Sequence, residues 1–207
     1  MLALLVSAAW AACPTANPPP GGWVDLATVP GLVLDIRYAT ADNFTGAPLP
    51  GYGAPAAWLR AEAARALGRA AARLQAEGYI LVVYDAYRPK RASAAMWDWA
   101  EAQGRTDLFA DGWIARKSGH NQGGTVDVGL LDAAGAPLDL GTPFDSFVAA
   151  SHAEAATGAA LERRHALRDA MKAEGFAPYA QEWWHFRYPL LDALPIDVPY
   201  GACEPAP

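Results

Sequence analysis

Apolar and polar positions alternate from Val33 to Tyr38, which predicts a strand, and the Gly- and Pro-rich stretch from Asn43 to Gly53 predicts a loop after it. The pattern then changes period. Leu59, Ala63, Leu67, Ala70 and Leu74 fall on one face of a helix spanning Pro55 to Glu77, with Arg60, Glu62, Arg69 and Arg73 largely off that face and Gly78 as the stop. Tyr79 to Tyr84 is an almost wholly apolar run containing Ile80, Val82 and Val83, as expected of a strand covered on both faces. It leads into Asp85-Ala86-Tyr87-Arg88-Pro89, where the proline disfavours a helical Arg88 and opens a second helix over Lys90 to Gln103. A short helix is expected around Leu108 to Ala115, a strand from Thr125 to Leu131, and a turn at Asp132 to Gly135 that pairs it with Pro137 to Leu140. After a loop from Gly141 to Ser151, a long helix runs from Gly158 to Glu174, stopped by Gly175, and a last strand covers Trp183 to Tyr188. Several helices packed with a small, mainly antiparallel sheet make an α+β domain.

Composition adds that one domain can bury a full core: 207 residues, 53% of them hydrophobic, with eight tryptophans. The formal charge of -6, with Lys and Arg scattered along the chain, argues against a nucleic-acid partner and for a small molecule. Residues 1–22 read as a leader ahead of a single domain over 23–207. Met1 to Cys13 is apolar, Ala9, Ala11 and Ala12 offer small-residue cleavage sites, and a Pro-rich stretch follows to Gly22. This predicts a signal peptide and a periplasmic or secreted protein; the alternative is a cytoplasmic protein whose first residues are a disordered tail or follow a mis-assigned start. Pro14 and Pro18 to Pro20 end the apolar run short of the ~20 residues that span a bilayer. Cys13 and Cys203, the two cysteines, sit near the chain ends and could bridge them in an oxidising compartment; alternatively Cys13 carries a lipid.

The candidate chemistry lies in two short stretches. Ser118-Gly-His-Asn-Gln-Gly-Gly-Thr-Val-Asp127 carries an imidazole at His120 and a carboxylate at Asp127, separated by glycines that no helix interior would favour. Glu182-Trp-Trp-His185 supplies a second imidazole with a carboxylate three residues before it. His120, Asp127 and His185 form a three-ligand set for one catalytic zinc, leaving a fourth position for water, with Glu182 as the base acting on that water. One difficulty is that residues three apart point to opposite faces of a regular strand, so Glu182 and His185 need a bulge or a strand end to converge. Arg88, fixed before a proline at a strand-to-helix junction, is a candidate donor pair for an oxyanion, against the plainer reading of a salt bridge with Asp85 or Glu101. His152 and His165 read as ordinary loop and helix residues. Neither cysteine, nor Ser118 outside any strand-turn-helix elbow, is a good nucleophile.

Ordered blocks along the chain carry a resemblance. These are Tyr-Ala-Thr-Ala-Asp-Asn-Phe-Thr-Gly at 38–46, Asp-Ala-Tyr-Arg-Pro-Lys-Arg-Ala at 85–92, the 118–127 stretch, Gly-Thr-Pro-Phe-Asp at 141–145 and Glu-Trp-Trp-His at 182–185. Together they resemble the D-alanyl-D-alanine dipeptidases of the vancomycin-resistance type, zinc peptidases of the D-Ala-D-Ala carboxypeptidase and Hedgehog-like fold group. The resemblance implies zinc on His120, Asp127 and His185, Glu182 as base and Arg88 at the transition state. It also implies Asp145 at the substrate's free amino group, with Ser118 and Tyr38 as further substrate contacts. Asn121-Gln122 and Thr125 stand where relatives carry Ser-Arg and Ala, a departure that bears on substrate preference more than on the metal. The activity implied is hydrolysis of D-Ala-D-Ala or a similar D,D-dipeptide in peptidoglycan metabolism. The alternatives are a D,D-carboxypeptidase acting on longer cell-wall peptides and a non-catalytic zinc module that binds peptidoglycan.

Overall fold

The computed structural model describes residues 18–19 and 21–201. Its centre is a five-stranded mixed sheet, formed by β2 (Leu32–Leu34), β4 (Ile80–Asp85), β5 (Thr125–Leu131), β7 (Glu182–Arg187) and β6 (Ala177–Tyr179) in that spatial order. Only β2 and β4 run parallel; the remaining neighbours are antiparallel. A separate antiparallel pair joins β1 (Trp23–Asp25) to β3 (Trp58–Arg60). Helix α1 (Ala61–Ala76) packs on α4 (Gly158–Ala173), and the two lie against β4, β5 and β7. The alanines of α1, with Ala63, Ala66, Ala70 and Ala71 fully buried, let its backbone come close to the sheet. Between the long helices, α2 (Lys90–Ala102) and the short α3 (Asp107–Ala110) follow the β4 end.

The α+β class and mainly antiparallel sheet agree with the sequence pattern, and the differences have local causes. The helix expected from Pro55 begins at Ala61. The preceding residues are held by backbone bonds instead: Leu26 N donates to Ala57 O and Arg60 N to Gly123 O, while Trp58 and Leu59 are buried as strand residues. The strand expected over 33–38 stops at Leu34, and Arg37–Ala39 forms a 3-10 turn that buries Tyr38. The helix expected to Ala115 ends at Ala110. The 125–131 hairpin is reduced to one bridge, between Leu131 and Pro137. Strands β1 and β6 carry too few residues to show a period. Cys13, Cys203 and nearly all of the leader lie outside the described residues.

Two irregularities shape the centre. In β4, Val83 faces Val128 and Asp85 faces Asp127, so two residues of β4 answer one step of β5. Tyr84 is the extra residue, and it lies over Gly129, where an added Cβ would stand 2.6 Å from the Tyr84 hydroxyl. In β7, Phe186 faces Pro178 while Glu182 faces Tyr179, so the strand bulges through Trp183, Trp184 and His185.

Candidate metal centre and active site

The bulge in β4 places Asp85 opposite Asp127, and Asp127 is opposite His185 on β7, so three adjacent strands present these side chains in one row. Val126 and Val128 flank Asp127 on the other face and are fully buried. His120 arrives from outside the sheet, on a 3-10 turn over Gly119–Gln122. Ser118 caps that turn: its hydroxyl accepts from His120 N at 3.3 Å, and Asn121 Oδ1 accepts from Ser118 N at 3.4 Å. Gly123 ends it in the left-handed region at φ 78, where a Cβ would sit 2.3 Å from the Trp23 ring, so no other residue fits. Asn121 Nδ2 donates to Arg88 O at 2.8 Å and Ser93 Oγ at 3.0 Å, and Arg88 N donates to His120 O. The turn bearing His120 and the junction bearing Arg88 are therefore one hydrogen-bonded unit.

His120 Nε2, Asp127 Oδ1 and His185 Nδ1 converge. Asp127 Oδ1 is 2.9 Å from His185 Nδ1 and 3.3 Å from His120 Nε2, and the two ring nitrogens are 3.4 Å apart. Ligands about 2.0–2.1 Å from a tetrahedral zinc stand about 3.3 Å from one another. Across the ring, His120 Nδ1 donates to Ala86 O at 2.7 Å, with Asp85 Oδ2 at 3.2 Å, which turns the Nε2 lone pair toward the cluster. Burial works to raise the Asp127 carboxyl, but the charges and hydrogen bonds of His120 and His185 outweigh it and hold the group well below the usual carboxylate range. The donor set, its spacing and its ionisation all fit a divalent cation.

Around the donors is a cavity of about 210 Å³ whose lining includes Tyr38, Arg88, Ser118, Asp145 and Glu182. The bulge in β7 resolves the spacing difficulty, since Glu182 Oε2 lies 3.5 Å from His185 Nδ1. Burial, with the Asp127 charge added, pushes the Glu182 carboxyl up to about 8 against the pull of His120 and Arg88. Arg88 Nε and Nη2 both reach Asp85 Oδ2 at 2.9 Å, Nη2 is 3.6 Å from Asp127 Oδ2, and the guanidinium stands over the Tyr38 ring at 5.0 Å. Tyr38 in turn donates its hydroxyl to Asp145 Oδ2 at 2.7 Å. Asp145 sits at φ 58, and desolvation, then the Asp127 charge, raises its carboxyl well above the ordinary value. No cation pairs with it among the described residues.

Sequence reasoning gave Asp85 only as a partner that would make Arg88 unremarkable. In the fold it is fully buried and joins three functional elements: it accepts from Arg88, faces His120 Nδ1, and accepts from the Tyr52 hydroxyl at 2.5 Å. An aspartate closing an apolar strand was the available signal. Arg164 was missed as well. Buried in α4, it donates to the carbonyls of Leu140 at 2.6 Å, Ala150 at 3.1 Å and His152 at 2.7 Å, so one guanidinium fastens both ends of the loop carrying Asp145. His165 Nε2 makes a surface hydrogen bond with Glu154 Oε2 at 2.8 Å, and His152 packs beside Trp113.

A profile of D-Ala-D-Ala dipeptidases matches residues 21–200. The chain belongs to this family. Among similar proteins is a D-alanyl-D-alanine dipeptidase of Streptomyces coelicolor, 39% identical over 180 residues that cover 76% of this chain and 86% of the relative. Dipeptidases of the same name from Escherichia coli K12, 34% identical over 89% of this chain and 93% of the relative, and from Enterococcus faecium, 35% identical over 76% and 86%, agree. Dipeptidases of this family are metallopeptidases, and the row across β4, β5 and β7 with the capped His120 turn is the part of this member that can hold the metal.

Proposed function

We propose that this chain is a zinc-dependent dipeptidase that hydrolyses D-Ala-D-Ala or a closely similar D,D-dipeptide to free amino acids in peptidoglycan metabolism. The observation that carries this reading is the convergence of His120, Asp127 and His185 beside Glu182 and Arg88 in one small cavity, whose Asp145 carboxyl accepts from Tyr38 and pairs with no cation among the described residues. The names of the relatives support the substrate.

Zinc on the three donors would supply a Lewis acid that polarises the peptide carbonyl and acidifies water. The chain's own residues do the rest. Asp145 receives the substrate ammonium, with Tyr38 holding its other flank, and Ser118 lines the same cavity. A divalent cation on the donors would add positive charge beside Glu182 and favour its ionised form; Glu182 then takes a proton from the attacking water and returns it to the leaving amine. Arg88, aimed by Asp85, offers N–H donors to the oxygen on which charge develops. The Ser118 hydroxyl accepts from His120 N as the cap of the turn and lies outside any strand-turn-helix elbow.

Metal-loaded protein should turn over D-Ala-D-Ala far faster than N-acetyl-D-Ala-D-Ala, because the blocked amine leaves Asp145 desolvated without its ion pair. Equal rates on both would identify a carboxypeptidase instead. Zinc analysis should give about one ion per chain, lost with activity on chelation. From the leader sequence we also propose export to the periplasm or medium; mass spectrometry of the native protein that finds Met1 intact on a cytoplasmic chain would refute it.

A further inference from the structure

Lysines and arginines scattered through the sequence come together beside the cavity. Lys90, Arg116, Lys117 and Arg187 line a groove of about 420 Å³, together with Gln122 and Pro195, on a protein whose formal charge is -6. The nearby acids leave this charge largely uncancelled. Arg116 is 3.7 Å from Glu101 and stacks over Trp97, and Asp197 is held by Arg91, while Lys90, Lys117 and Arg187 form no ion pair among the described residues. Lys117, Ser118 and Gly119 line both this groove and the cavity, so the two adjoin along that segment. On another side, Asp145 and Phe44 line both the cavity and a depression that contains Arg37, Tyr84 and Leu138. The groove and that depression share no residue. Asp145 and the basic groove therefore adjoin different parts of the cavity lining, which also includes the metal donors.

This inference rests on the dipeptidase reading. If the ammonium of the first residue is at Asp145 and the scissile carbonyl at the metal donors and Arg88, then the second residue extends past Ser118 toward the groove. We propose that the groove receives the side chain of that second residue when it is anionic, so that D,D-dipeptides ending in an acidic residue are preferred substrates. Each exposed ion pair changes a rate constant only a few-fold, so the combined preference over an uncharged isostere is about tenfold at low ionic strength. Because the cations are exposed, the preference should shrink with salt.

The test compares kcat/KM for D-Ala-D-Glu, its isostere D-Ala-D-Gln and D-Ala-D-Ala, with zinc-loaded wild type, Arg187→Glu and Lys90→Glu. The expected result is a Glu-to-Gln ratio of about ten in wild type, falling toward one in both variants and in about 0.5 M salt, where the Debye length is about 4 Å. Turnover of D-Ala-D-Ala should stay within about twofold throughout, because neither side chain touches the reacting atoms. A wild-type ratio of one or below, or a ratio that both variants leave intact, overturns the groove assignment while D-Ala-D-Ala turnover leaves the dipeptidase standing. Failure to hydrolyse any of the three overturns the dipeptidase and the groove assignment together.

Discussion

His120 gives one ring nitrogen to the backbone and the other to the cavity, and Asp85 helps decide which is which. The Nδ1 side faces Ala86 O and Asp85, so the orientation of the ring is settled before any ligand arrives. Asp85 and Glu182 are both buried acids at the site, yet they should fail differently. Glu182→Gln should keep zinc and lose about 10²–10⁴ in kcat, the range for removal of a general base. Asp85→Asn should lose about 10–100-fold in zinc affinity or activity, because it loosens a ring that holds metal and a guanidinium that faces the substrate. Zinc titration alongside steady-state kinetics separates the two; a Glu182→Gln that lost zinc and regained activity in excess metal would make Glu182 a ligand. The titratable side chains of the site were legible as letters in the sequence because few other histidines and carboxylates stand beside glycine pairs or tryptophans. The support given by Asp85 was not, since a fully buried aspartate and a surface one are spelled alike.

Strands β4, β5 and β7 carry most of the site, and two of them do so by breaking their own regularity. A regular β4 would turn Asp85 away from Asp127, and a regular β7 would send Glu182 and His185 to opposite faces. The bulges were only partly foreseen. That in β7 was one of two ways, with a strand end, for the two side chains to converge, whereas that in β4 depends on Tyr84 lying across a neighbouring strand, which no periodicity in either segment encodes. Gly129→Ala tests the coupling, because its methyl group would press on the Tyr84 ring and hydroxyl. It should cost about 1–3 kcal/mol of stability, as overpacking does. It should also lower kcat, since the bulge that aims Asp85 must shift. Denaturant unfolding and activity at a temperature where the variant is fully folded would measure both. The helix start at Ala61 makes the same point: Leu59 fits the helical stripe, but a partner at β1 recruited it, with Trp58, into a strand.

At the scale of the whole molecule, α1 and α4 are joined through Glu174, which accepts from Arg69 at 2.5 Å and Arg73 at 2.6 Å. Hydrogen bonds from Arg73 and Arg69 hold this carboxyl below the ordinary glutamate value of about 4.3. A depressed carboxyl binds its proton less readily folded than unfolded, so its contribution is present at neutral pH and fades as pH falls below about 4. Glu174→Gln should therefore lower Tm by about 2–4 °C at neutral pH and by progressively less in acid. A difference that is flat with pH, followed by thermal melts, would assign the loss to packing instead. The fold class was legible because long amphipathic helices and apolar strands each announce their period. The basic groove was not, because its residues come from widely separated segments that only the finished fold brings together.

Arg164 binds the carbonyls at both ends of the segment that carries Asp145, and its guanidinium also lies 5.8 Å from the ring of Trp183 on β7. That segment is thus stitched to the fold at both ends and along its middle, where Phe144 stacks on Tyr84 and Thr142 accepts from Trp183. Substituting Arg164 should therefore blunt the discrimination between free and blocked amino ends, read as the kcat/KM ratio of D-Ala-D-Ala to its N-acetyl form, before it costs zinc, whose donors stand outside that segment.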